Sequence, residues 1–266
     1  MMKRRVVKVF LPLAALLLLT GMISLSRTAS AAAPTAAPTA APTVGPPAVR
    51  APQAVPPTAP APAVVVTQKN HGTWTHTTSQ TGSDSAQVAI AFDHSSVQAL
   101  RAFAQANADL AKTLNTPGTT LDARITFNHP LSIDEFKKFV ADNGLSVNGY
   151  SIRVTAPDST RWTIVGSPRG TELVPQSQLD NYVVGIQQQA PNATLNGVID
   201  VTASFDAPRY SAIQAVPGVF LIDVSRTVAK REAVTALPTT LDPRRITIDE
   251  APLYWYMENL GLQNFR

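Results

Sequence analysis

The chain has 266 residues, with 22 Lys and Arg, 18 Asp and Glu, and no cysteine. Without cysteine there is no disulfide framework, thiolate zinc site, cysteine nucleophile or acceptor for lipid attachment. The basic balance is local: Lys3, Arg4, Arg5, Lys8 and Arg27 fall in the first 31 residues, which hold no acid, and from residue 32 onward 17 basic residues face 18 acidic ones. A near-neutral body gives no counterion-release drive onto a polyanion, so nucleic acid is not an expected partner.

Residues 1–31 read as a signal peptide. A cationic start leads into an apolar run over residues 9–23, and Ala29-Ser30-Ala31 places small residues where a signal peptidase cuts. The run is shorter than the ~20 residues of a spanning helix, and Pro12 weakens it further. Cleavage would leave Ala32 as the mature N-terminus. The alternative is an uncleaved anchor, which would make this segment the only membrane contact. Either way the remainder is expected to be exported, secreted or held at the cell surface.

Residues 32–63 repeat Ala, Pro and Thr and offer almost nothing to bury. They are expected to form a disordered, extended stalk that could reach on the order of 100 Å at the polyproline rise. Residues 64–266 are the expected extracytoplasmic domain. It opens with a Thr- and Ser-rich stretch, residues 64–85, that suits an edge strand or a lead-in coil.

Three strands then share a design. Ala86, Val88, Ile90 and Phe92 alternate along one face, as do Leu121, Ala123, Ile125 and Phe127, and Ile199, Val201, Ala203 and Phe205. Each ends in Phe followed by Asp or Asn, which suits a turn into a helix. The helices are expected over residues 96–114, from Ser132 to Gly144, over residues 177–189, and, briefly, over residues 206–216. The second carries a capping box, Ser132-Ile133-Asp134-Glu135, a staple pair in Leu131 and Phe136, and Gly144 as a left-handed cap. A hairpin is expected from residues 150–155 and 161–165. The apolar run of residues 219–224 suits a central strand covered on both faces.

The order is β-α-β-α-β-β-α-β-α-β. This predicts an α+β fold of ferredoxin-like split βαβ units, with a mixed or antiparallel sheet and helices mainly on one face. It could be divided into two ferredoxin-like halves, about 64–145 and 146–246, followed by an aromatic tail, residues 247–266. The strand–helix–strand piece ending in Val216-Pro217-Gly218-Val219 resembles the ferredoxin-like pro-segments and inhibitors of subtilisin-type proteases over about 30 residues. That resemblance implies a fold and no activity.

The common catalytic signatures are missing: no G-x-S-x-G, H-E-x-x-H, P-loop or G-x-G-x-x-G occurs. No catalytic residue and no cofactor is expected. His94 and His129 occupy equivalent places, two residues past the Phe of their strands. Were those strands adjacent and parallel, both imidazoles would share one edge and could hold a metal. His71 and His76 do not have helix-pair spacing, and no nearby Asp or Glu completes a zinc set for them. Tyr254, Trp255 and Tyr256 suit either a docked helix or aromatic anchors for a partner. The reading that follows is an exported, non-catalytic interaction or sensor domain at the cell surface, whose partner is a protein or a cell-envelope component. The alternative is an extracytoplasmic hydrolase or metal-binding protein using His94 and His129.

Overall fold

The computed structural model describes residues 66–237 and 241–262. The expected signal peptide and stalk lie outside the described residues. The described residues form a mixed α and β fold with two sheets and six helices. In chain order the elements are β1 (Val66–Asn70), β2 (Trp74–Gln80), β3 (Ala86–Phe92), α1 (Val97–Leu114), β4 (Thr120–Leu131), α2 (Ile133–Asn143), β5 (Ser146–Thr155) and β6 (Arg161–Gly166). They continue with α3 (Gln176–Gln189), β7 (Thr194–Asp206), α4 (Tyr210–Gln214), β8 (Val219–Asp223), α5 (Ser225–Ala236), β9 (Ile246–Asp249) and α6 (Leu253–Asn259). From β3 to β8 this is the order read from the sequence.

The pairing differs from a single sheet. β1, β2 and β3 form an antiparallel meander, and β9 joins parallel to β3. The second sheet is antiparallel, in the order β6-β5-β7-β4-β8. β3 and β4, which share the alternating design, therefore stand in different sheets. The Thr-rich opening supplies β2 to one edge of β3 and β9 takes the other, so β3 has no free edge left for β4.

Helix α2 forms where its caps direct. Ser132 Oγ accepts from Glu135 N at 3.2 Å, and Glu135 returns the bond to Ser132 N at 2.8 Å. Gly144 closes the helix in the left-handed region, at φ 55°. Phe136 and Phe139 then bury against the alternating residues of the second sheet. That core also takes Leu179 of α3 and Tyr210 and Ile213 of the α4 turn. The other core lies against the first sheet. Trp74, Val88 and Ile90 meet Leu100 and Phe103 of α1, Ala229 and Ala233 of α5, and Leu253 and Met257 of α6.

Two details depart from the sequence reading. β4 does not stop at Phe127 but runs on through Asn128-His129-Pro130 to Leu131, across a register shift against β7. A bulge tolerates Pro130, which has no N–H to donate, and Gly197 lies opposite, where a Cβ would come within 2.2 Å of Leu131 O. β8 is an edge strand, not a central one. It is still covered on both faces, with Leu221 in one core and Ile222 in the other. Its open edge is served by a side chain: Gln214 Oε1 accepts from Ile222 N at 3.2 Å, and Gln214 Nε2 donates to Phe220 O at 3.5 Å.

Equilibrium unfolding tests the weight of α2. Ser132→Ala removes a cap and is expected to cost about 1 kcal/mol, and Phe136→Ala, fully buried, about 3–5 kcal/mol. A Phe136→Ala protein as stable as the parent would contradict the packing of α2 on the second sheet.

Candidate functional site

His94 and His129 are not brought to one edge. His94 lies just past β3, exposed, with Nδ1 3.0 Å from Phe92 O and its ring 3.7 Å from Tyr256. His129 lies within β4, in the other sheet, and its Nδ1 is taken by the side chain of Asn128. The aromatic tail is α6, docked on the domain. Tyr254 is 2% exposed, Tyr256 packs against His94 with the rings tilted by 32°, and Trp255, 38% exposed, donates from Nε1 to Thr163 Oγ1 at 2.9 Å.

A different set of ligand-type atoms converges. Asn70 Oδ1 accepts from Gly72 N at 2.8 Å, Gly72 takes φ 83°, and His71 N donates to Trp74 O, so the β1–β2 turn is tight. His71 stacks on Trp74, ring centres 3.9 Å apart and 9° from parallel. β2 alternates from there, sending Trp74, His76 and Thr78 inward. On α5, Glu232 comes from the far end of the sequence to meet them. Its Oε2 lies 3.2 Å from His71 Nε2 and 3.5 Å from His76 Nε2, while Oε1 faces Lys69 Nζ at 3.3 Å. Burial lowers the pKa of His76, opposed by Glu232, which favours the neutral ring. The sequence reading saw both histidines but not the carboxylate. Helix α5 buries Ala and Ser rather than large side chains, so its pattern is faint.

The opposite side of α5 lines a cleft of about 860 Å³. Arg226, Lys230 and Arg231 come from α5 and Arg244 from the turn before β9, against Asp122 of β4 as the only carboxylate among the described residues of the lining. Asp122 partners Arg226 at 3.4 Å and Lys230 at 3.8 Å. Arg231 and Arg244 are exposed and make no ion pair among the described residues. Among the described residues no histidine lines this cleft.

Beneath the cleft runs a buried ionic network on the polar face of the second sheet. Glu250, 3% exposed, accepts from Arg124 Nε at 2.6 Å and from Arg226 Nη1 at 2.9 Å. Arg124 also faces Asp200 at 3.7 Å, and Ser151 Oγ donates to Asp200 at 3.0 Å. Asp200 is thus inside the protein, not on a solvent face as its place in an alternating strand suggests; α6 and the segment before it cover that face. Arg153 reaches Glu258 of α6 in a two-pronged pair and donates to Thr163 Oγ1 at 2.8 Å. Burial pushes the Asp200 carboxyl up, and pushes Asp223 up to about 6, with Glu250 adding to the rise and Ser225 and Arg124 opposing it.

No protein-family model, no curated protein and no solved structure matches this chain. Among the described residues no helix is long and apolar enough to cross a membrane.

The Asp223 environment sets a pH dependence. The folded state holds this proton up to about pH 6, while the unfolded chain releases it near ~3.9. The folded pKa is raised, so stability falls as pH climbs between those values and is level above them. Asp223→Asn removes the titration. Between pH ~4 and 7 the parent is expected to lose on the order of 3 kcal/mol relative to the variant, in denaturant titrations. Parallel profiles would contradict it.

Proposed function

We propose that this chain is an exported, non-catalytic binding domain that takes an acidic ligand, a protein segment or a cell-envelope polymer, in the cleft beside α5. One observation carries the reading: Arg231 and Arg244 line the cleft without an ion pair among the described residues and are left to an outside anion, while Asp122 and Glu250 hold Arg226, and Asp122 also Lys230. Exposed guanidinium groups present planar donor forks that suit carboxylate and phosphate oxygens. The absence of a histidine or a second carboxylate from the lining favours binding over acid–base chemistry. The leader and Pro-rich spacer read from the sequence support placement outside the cytoplasmic membrane, with the domain held away from it.

For the fold, the ferredoxin-like reading of residues 121–204 is supported by the two strand–helix–strand units of β4 to β7. β4 and β5 flank β7, and β6 and β7 flank β5, so each crossover spans an antiparallel strand. The second and fourth strands of the set are central, a variant of the usual ferredoxin-like order, in which the first and third are.

A second reading, a metal-binding protein, has a specific geometry behind it at His71, His76 and Glu232 rather than at His94 and His129.

The test is binding of a poly-glutamate peptide and of a glycerol-phosphate polymer at two salt concentrations. Binding of either, weakened by salt and by at least about tenfold in the double variant Arg231→Glu/Arg244→Glu, is expected. Equal binding by parent and variant would remove the cleft as the site, and binding of neither probe would remove the acidic ligand.

A further inference from the structure

We propose that His71, His76 and Glu232 form a zinc site that clamps the β1–β2 hairpin to helix α5. The inference is independent of the ligand assigned to the cleft. Two imidazoles and one carboxylate are a recurrent zinc donor set, with a fourth position left to solvent. The ligand atoms of all three residues lie within 4.8 Å of one another. In a tetrahedral site with bonds of about 2.0–2.1 Å, neighbouring ligand atoms stand about 3.3 Å apart. The two imidazole–carboxylate separations here are 3.2 and 3.5 Å.

Hydrogen bonding does not account for the convergence. His71 Nε2 and Glu232 Oε2 are buried and make no hydrogen bond, despite the 3.2 Å between them. The two atoms are thus brought close without a bond between them. His76 is 2% exposed, and its Nδ1 also lacks a partner. Two neighbours hold the donors in place. Trp74 fixes the plane of His71 by stacking, and Lys69 engages Glu232 Oε1, which leaves Oε2 toward the imidazoles. The donor atoms are nitrogen and carboxylate oxygen, without a thiolate, and this selects zinc over softer copper(I). Side-chain exposures of 23% at His71 and 25% at Glu232 leave the ion a path in.

The experiment uses the full chain, stripped with chelator and titrated with Zn²⁺ by calorimetry. One equivalent is expected to bind and to raise the thermal midpoint. His71→Ala and Glu232→Gln should each weaken Zn²⁺ binding by more than about 100-fold, since even outer-shell changes cost 10–100-fold. The double variant His94→Ala/His129→Ala should bind like the parent. Circular dichroism checks that each variant is folded, and Co²⁺ loading of the parent gives a readout that needs no variant. An intense visible band from a low-coordinate nitrogen–oxygen site supports the proposal. A weak octahedral spectrum, no stoichiometric Zn²⁺, undiminished binding by Glu232→Gln, or loss of binding in the His94/His129 variant would each overturn it.

Discussion

The carboxylate of Glu250 ties the molecule together. It follows β9, which is hydrogen-bonded into the first sheet, and it ends between Arg124 and Arg226 on the polar face of the second. Three charges held at 2.6 and 2.9 Å inside the protein are costly to desolvate. They become favourable only if every partner stays in place. That carboxylate anchors the segment before α6 and holds Arg226 at the wall of the cleft, while α6 itself is held by Leu253 and Met257 in the first core and by the Arg153–Glu258 pair.

Helix α5 is the element that both candidate sites share. Its small buried residues, Ala229 and Ala233, let it lie close against the first sheet. Glu232 then faces the hairpin, and Arg226, Lys230 and Arg231 face the cleft. Thr227 fixes its start, donating to Asp122 O at 2.9 Å and accepting from Asp122 N at 2.8 Å. A helix pinned at one end to β4 and along its length to β2 and β3 presents its charged side chains from a rigid base. That suits recognition of a fixed anion pattern better than a mobile loop would.

What the sequence disclosed was local. Helix α2 announces itself through Ser132, Glu135 and Gly144 because capping is settled within one turn. The alternation of β3, β4 and β7 is visible because each buries one face under helices. Pairing was not visible: identical alternation in β3 and β4 says nothing about which strand lies beside which. Helix α5 was missed because Ala and Ser on its inner face give little contrast with its outer face. Both candidate sites were missed for a further reason. Glu232 meets His71 only after most of the chain has folded back, the cleft needs Asp122 of β4 beside α5, and of the paired histidines that the sequence suggests, His94 lies past the end of β3 and His129 within β4 of the other sheet.

The most direct test of this account is the unfolding of Glu250→Gln. Removing one partner from a buried ionic set leaves Arg124 and Arg226 short of a countercharge, and the loss in equilibrium stability is expected to be about 3–5 kcal/mol. A variant within about 0.5 kcal/mol of the parent would mean that the two sheets are held together without this carboxylate, and that it is not the tie described above.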